Sequence, residues 1–421
     1  MNKKFYSFLF FLLFSGLIIG QSAIYDKSVG SDLTEIDTYL TENIEKGIIP
    51  GGVFLVAEKG KIKYLKSFGF DDQSLNKPYE NDNIFRIASM TKNLTIVSIL
   101  QLKEKGKLDL DDPVSKYIPS FKKTMVLDDF NSSDSTYTTV KQHKEISIRN
   151  LLTHTSGIYY GSFETDSLRA IYMKNDLMGF GLSSDKWTTE QMADKIASAP
   201  LAFQPGSQFK YGLNMEILGR IIEVVSKTSL DVYFKQHILD PLGMNDTFFY
   251  IPEEKQNRLV KLHASDTVQN IVENPFINYP LMNGNNHFAG GGGLSSTALD
   301  YATFCMALAN NGSLNKTRIL KKKSVKLLSE VQYTDLDADN KGFESDISEM
   351  GFGLGYWVLK KDDPSFSPLS KGSFGWGGYF NTKFYIDPKK DIVIVGMTQL
   401  IPLDLEPFWN GLNKTIYRAI D

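Results

Sequence analysis

One sheet assembled from the two ends of the chain, with a helical lobe inserted between them, is the fold class that the sequence predicts. Three observations lead to it. Strand-forming runs lie at both ends: "GGVFLVAEKGKIKYLKSFGF" near the start, and "GFGLGYWVL", "SFGWGGYFNTKFYIDP" and "DIVIVGMTQL" near the finish. The stretch from about 110 to 290 is helical and loop-rich and shows no sheet-forming alternation of any length. The 421 residues also exceed the size at which a single hydrophobic core stops growing, so two interlocked units are expected.

The elements follow in order. Lys3 and Lys4 precede an apolar run from Phe5 to Ile19 and then small or polar residues, the layout of a secretory signal peptide over residues 1–22. That layout predicts an exported protein, periplasmic or secreted, with no stable membrane insertion once the leader is cut. No cysteine follows the apolar run, which argues against a lipid anchor. The first two strands should meet in a hairpin at Lys59-Gly60. Residues 89–105 carry apolar side chains at 94, 96, 97, 99, 100 and 102, the pattern of a largely buried helix, and Gly106 stands where it should stop. The polar segment "DDFNSSDSTYTTVKQHKE" reads as an exposed excursion. After the glycine run at 290–293, "LSSTALDYATFCMALAN" reads as a helix with Ser295, Ser296 or Thr297 as its N-cap. The expected division is therefore a sheet-bearing unit over 23–88 and 290–421 and a mainly helical unit over 89–289.

Composition narrows the function classes. Forty-six basic against 49 acidic residues give a net charge of -3, with no extended basic patch, so nucleic acid is a poor partner. Cys305 is the one cysteine, so the chain cannot staple itself with a disulfide, and Cys305 reads as a small core residue. The five histidines, at 143, 154, 237, 263 and 287, have no metal-binding spacing, and no metal or cofactor is implied. There is no Gly-x-Ser-x-Gly elbow, and the glycine run is not followed by the Gly-Lys-Ser/Thr of a phosphate loop.

The chemistry-bearing candidates begin at "RIASMTKNL", where Ser89 and Lys92 stand three positions apart as the buried helix opens. Spacing alone is weak evidence, because five other Ser-x-x-Lys pairs begin at Ser74, Ser120, Ser183, Ser207 and Ser313. Setting distinguishes this one. On a helix, positions i and i+3 share a face, and a helix start offers free N–H groups to an oxyanion. A second candidate is Tyr211, between a Pro-Gly turn and a helix, where a tyrosine can share a proton with a lysine. A third is Trp376-Gly377-Gly378, glycines in a strand where a ligand or backbone can come close. Each has a plainer reading: a capping serine, an aromatic at a helix entrance, a bulge beside a core tryptophan.

Taken in this order, the three elements resemble the serine hydrolases of the class C β-lactamase and penicillin-binding protein superfamily. The resemblance runs from about residue 32 to 400 and includes "ISIRNLLTHTSGI", "DPLGMNDTFF" and "AGGGGLSST". It implies an α+β fold of the β-lactamase/transpeptidase type, an antiparallel sheet flanked by helices plus an inserted helical domain, with the active site at the junction. It makes Ser89 the acylated nucleophile, Lys92 its proton acceptor and Tyr211 the partner in proton transfer. The backbone N–H groups of Ser89 and Tyr379 would form the oxyanion hole. Trp376, Gly377 and Gly378 would bind the substrate, and His154 would be a hydrogen-bonded structural residue; Trp376, Tyr379 and Tyr160 are aromatic candidates for the cleft lining, with no orientation given by the sequence.

Two departures from the lactamase pattern carry the most information. The Tyr-x-Asn motif reads Tyr211-Gly212-Leu213, with Asn214 one position late, and the Lys-Thr-Gly motif reads Trp376-Gly377-Gly378. Both remove polar groups that would hold an amide or a carboxylate. The remaining resemblance is to the esterase branch, the family VIII carboxylesterases, and implies a small-molecule ester substrate. A β-lactamase, a D-alanyl-D-alanine carboxypeptidase or D-aminopeptidase acting on an amide, and a binding protein or acylated sensor are the alternatives.

Overall fold

The computed structural model describes residues 33–401, except 73, 164–165, 179–180, 183–186, 266–270, 274–278, 282–286 and 334–349, together with residues 405–420. The leader expected over residues 1–22 lies outside the described residues. Among those described, no helix is long and apolar enough to cross a membrane.

Eight strands form the central sheet: β1 (Gly51–Glu58), β2 (Lys61–Asp72), β3 (Lys77–Pro78), β4 (Met350–Phe352), β5 (Trp357–Leu359), β6 (Phe374–Gly378), β7 (Thr382–Asp387) and β8 (Ile392–Met397). Their order is β4-β5-β6-β7-β8-β1-β2-β3, and every neighbouring pair is antiparallel. The two ends of the chain join at the β1–β8 pair, with Val53 opposite Met397 and Glu58 opposite Ile392. The hairpin between β1 and β2 turns at Lys59 and Gly60, whose φ values of 50° and 68° are both left-handed. Such a two-residue turn matches the twist of the strands it joins, and glycine takes the second position without steric cost.

Both faces of the sheet are covered, as the alternation of side chains along the strands requires. Val53, Leu55 and Ala57 of β1 enter the main core, while Phe54 and Val56 enter a second one. In β8, Val393, Val395 and Met397 face the main core and Ile392 and Ile394 the second. The second core is closed by α1 (Thr34–Glu45) and the last described helix (Glu406–Ile420), through Ile36, Leu40, Phe408, Trp409 and Leu412. The main core is closed by α2 (Thr91–Glu104), α3 (Asn214–Ser226) and α4 (Ala298–Ala309), with α4 lying across β1 and β8.

Helix α2 is the axis of the molecule. Every residue from Thr91 to Leu102 is buried, because it is packed between the sheet-side helix α4 and the helical lobe represented by α3. Its stop is a paired C-terminal cap: Gly106, at φ 66°, donates to the Lys103 carbonyl and Lys107 donates to the Leu102 carbonyl. Thr297 caps α4 by accepting from the Asp300 N–H at 3.1 Å. Cys305 is fully buried in that helix, and burial pushes its thiol well above the ordinary range.

One expectation is corrected. The polar segment read as an excursion without strands is an antiparallel hairpin, Met125–Asn131 with Thr136–Lys141. Only Val126 within it is buried, so neither face shows the apolar alternation that marks a half-buried strand. Its turn is held by side chains instead: Asn131 Oδ1 accepts from the Ser133 N–H, and Asp134 Oδ1 from the Thr136 N–H, both at 3.0 Å.

Candidate active site

Ser89 lies in a single 3₁₀ turn, Ala88–Met90, that runs directly into α2 at Thr91. The helix thus begins two residues later than its sequence pattern suggests. Ala88, just before the serine, has φ 40°, a left-handed value that a residue with a Cβ adopts only under constraint. The constraint comes from the end of β6. A Cβ on Gly378 would stand 2.4 Å from the Ile87 carbonyl oxygen, so only glycine lets the strand press against the turn that carries Ser89. Tyr379 follows at once, so the two residues whose N–H groups are expected to face an oxyanion lie on adjoining stretches of backbone.

Lys92 comes one turn on, with 1% of its surface exposed. Its Nζ donates to Ser89 Oγ at 3.1 Å, to Tyr160 Oη at 3.2 Å and to the Gly291 carbonyl at 2.5 Å. Tyr211 approaches Ser89 from the other side and donates its O–H to Oγ at 2.8 Å. The serine oxygen is therefore held between an amine and a phenol. Ser89, Gly377, Gly378 and Tyr379 are part-exposed, while Lys92, Tyr160 and Tyr211 are buried. The oxygen that would react sits at the boundary of solvent, and the groups that would move its proton sit behind it.

The loop that brings Tyr211 into place is held by the residues before it. A Cβ on Gly212 would stand 2.2 Å from the Ile158 carbonyl oxygen, so this glycine is dictated by backbone contact. His154 Nδ1 lies 2.7 Å from Asn214 Nδ2 and accepts from the Gly212 N–H at 3.3 Å, and its ring packs 4.8 Å from that of Tyr211. Complete burial, then the neighbouring charge of Lys92, push the imidazole well below its ordinary range, so His154 stays neutral and acts as a brace. Asn214, the displaced motif residue, is itself buried and also accepts from Ser156 Oγ. The structure spends it on this brace.

Trp376 forms the wall opposite. Its ring centroid lies 5.6 Å from that of Tyr211 and 5.7 Å from that of Phe352. Lys383 of β7, opposite Gly377, pairs with Glu406 of the helix that closes the second core.

Two contributions were not legible beforehand. Tyr160 does more than line the site, because its hydroxyl accepts from Lys92. Burial, then Tyr211 and Glu216, raise its phenol well above the ordinary range, which keeps it neutral. Glu216, in the first turn of α3, is buried and takes the Gly291 N–H on Oε1 at 2.8 Å. The only sequence sign was a carboxylate inside the apolar run "NMEILGRII". Among the described residues, no group of acidic, histidine and cysteine side chains could hold a metal ion.

Comparison with known proteins now decides the family, since the beta-lactamase family model matches residues 36–405. The chain belongs to the beta-lactamase family. Protein Rv1367c of Mycobacterium tuberculosis is 30% identical over 367 residues, which cover 86% of this chain and 89% of that one. Esterase EstB of Burkholderia gladioli is 27% identical over 383 residues, again 86% and 89% of the two chains. Among solved structures, EstCE1, described as a hydrolase with promiscuous acyltransferase activity, matches with a TM-score of 0.76 at 24% identity, covering 91% of this chain and 98% of that one. The fold is the β-lactamase/transpeptidase-like α+β fold, and this beta-lactamase-family serine hydrolase has relatives that are esterases.

Proposed function

We propose that the protein is a carboxylesterase that forms an acyl-enzyme on Ser89 and acts on small, neutral esters. The observation that carries the reading is the position of Ser89 Oγ, 3.1 Å from Lys92 Nζ and 2.8 Å from Tyr211 Oη, beside a tryptophan wall where a lactamase pattern would place a cation.

Acylation starts from the form of the Lys92–Tyr211 pair that has given up one proton: as Ser89 Oγ bonds to the ester carbonyl carbon, that pair takes the Oγ proton. The carbonyl oxygen becomes an oxyanion, taken up by the backbone N–H groups of Ser89 and Tyr379. Each donor in such a site is worth about 100- to 1,000-fold in rate. The tetrahedral centre then collapses, the bond to the alcohol oxygen breaks, and Tyr211 delivers a proton to the departing alkoxide. Water completes the cycle by attacking the acyl carbon, with the same pair taking its proton and returning one to Ser89.

Substrate choice follows from what is missing around this machinery. With Asn214 engaged by His154 and Ser156, no motif asparagine is offered to a substrate amide, and Trp376 offers no charge to a carboxylate. An anionic β-lactam would lose its charge-assisted contacts, whereas an ester loses nothing. The leader expected over residues 1–22 would place the reaction outside the cytoplasm.

The test is parallel hydrolysis of a short-chain p-nitrophenyl ester and of nitrocefin by the protein without its leader and by its Ser89→Ala variant. Rapid ester cleavage, lost in the variant, with little nitrocefin turnover is the expected result. Nitrocefin turnover equal to that of the ester would replace the esterase reading by a lactamase one.

A further inference from the structure

We propose that Glu216 is a positioning residue for Lys92 and acts through Gly291. This inference rests on the reading of Ser89 and Lys92 given above. Lys92 Nζ donates to the Gly291 carbonyl at 2.5 Å, and the N–H of the same residue donates to Glu216 Oε1 at 2.8 Å. Gly291 is thus fastened at one end by a buried carboxylate and presents its other end to the lysine. Elsewhere on the run, Thr95 Oγ1 donates to the Gly290 carbonyl and the Gly292 and Gly293 N–H groups donate to the Ala289 carbonyl, whereas the Gly291 N–H is the one that Glu216 takes.

The packing points the same way. A Cβ on Gly291 would stand 2.6 Å from Glu216 Oε1, 3.5 Å from Lys92 Nζ and 3.5 Å from Tyr160 Oη. That single point is surrounded by the three side chains, so the glycine is there because they fill its space. Glu216 is 2% exposed, and its second oxygen lies 3.5 Å from Nε2 of the fully buried His287. A carboxylate buried at this depth is costly, and a helix facing an apolar core has no packing need for one. Its place is accounted for by the contact it makes. Of the three acceptors around Lys92 Nζ, the one at 2.5 Å is the one that Glu216 holds.

The experiment measures how fast Ser89 is labelled by a fluorophosphonate probe, which reads nucleophile activation whatever the natural substrate is. Three variants are compared with the wild-type protein by labelling rate and thermal midpoint: Glu216→Gln, Glu216→Asp and Glu216→Leu. Glutamine keeps an acceptor at the same reach, so its labelling rate should stay within about threefold of wild type. Aspartate keeps the charge but is one carbon too short, and leucine has no acceptor. Both should label about tenfold to a hundredfold more slowly, the penalty for a catalytic group displaced by about 1 Å. If leucine prevents folding, the contrast between glutamine and aspartate decides. Equal labelling of the folded aspartate variant and the wild type would overturn the proposal. A wild-type protein that is not labelled at Ser89 would instead overturn the reading of the nucleophile, and this inference with it.

Discussion

The start of α2 and the edge of the sheet before β3 both carry Ser-x-x-Lys, and they use it in opposite ways. At Ser89 and Lys92 the backbone is a helical turn, the two side chains share one face, and they meet at 3.1 Å inside the protein. At Ser74 and Lys77 the backbone is a turn entering a short strand, and the pair separates. Ser74 Oγ donates to Asp72 at 2.6 Å, while Lys77 pairs with Asp71 at 2.8 Å with 45% of its side chain exposed. The same four-letter pattern thus gives a buried lysine in hydrogen-bond contact with its serine in one place and two separate aspartate contacts at the sheet edge in the other. Helical geometry and burial make the motif, and spacing alone does not.

The largest effects should appear where that comparison is broken on purpose. Lys92→Ala should lower kcat/KM for a short ester by roughly a thousandfold, and Tyr211→Phe by a similar order, since in the proposed mechanism each is a proton-transfer group. Lys77→Ala should leave the rate within about twofold, because Lys77 pairs with Asp71 at the sheet edge and not with a group of the site. Steady-state kinetics on the three variants checks both halves. A smaller loss, about tenfold, is expected for Tyr160→Phe, which keeps the ring and takes away one acceptor of Lys92. The thermal midpoint of that variant should barely move.

The smallest effect tests whether burial by itself makes a site. Asp300, at the start of α4, is 5% exposed, and burial pushes its carboxyl up to about 7. Its folded-state value is above the unfolded one, so the stability it contributes is full below the ordinary carboxylate range and is lost as pH rises through about 7. Asp300→Asn, which mimics the protonated form, should gain on the wild type in thermal midpoint between pH 5 and pH 8. Ester turnover at a fixed pH should be the same for both proteins. Equal shifts of both midpoints with pH would remove Asp300 from the account.

Much of this was legible from sequence because the responsible signals are local. Lys59-Gly60 announces its turn, Gly106 its helix stop, and Thr297 is one of three adjacent capping candidates. The continuous apolar runs of β1 and β8 follow from two cores pressing on one sheet. The hairpin at 125–141 was hidden because Val126 is the one fully buried residue of its strands, and strand patterning reports burial rather than hydrogen bonding. Within the site, Ser89, Lys92, Tyr211 and the tryptophan-glycine strand were readable as motifs, and the structure brings them together. Asn214 read as a displaced substrate contact, whereas its partners His154 and Ser156 lie some sixty residues earlier. Glu216 was invisible for a related reason: its meaning depends on Gly291, a contact across 75 residues that no local pattern encodes.

The most direct test of the central claim is to quench the protein with acid during turnover of a slow ester and map the acyl adduct by peptide mass spectrometry. The account predicts an acyl group on the peptide containing Ser89, absent from the Ser89→Ala variant, which should also lose turnover. An adduct mapped to another residue, or undiminished hydrolysis by the variant, would contradict it.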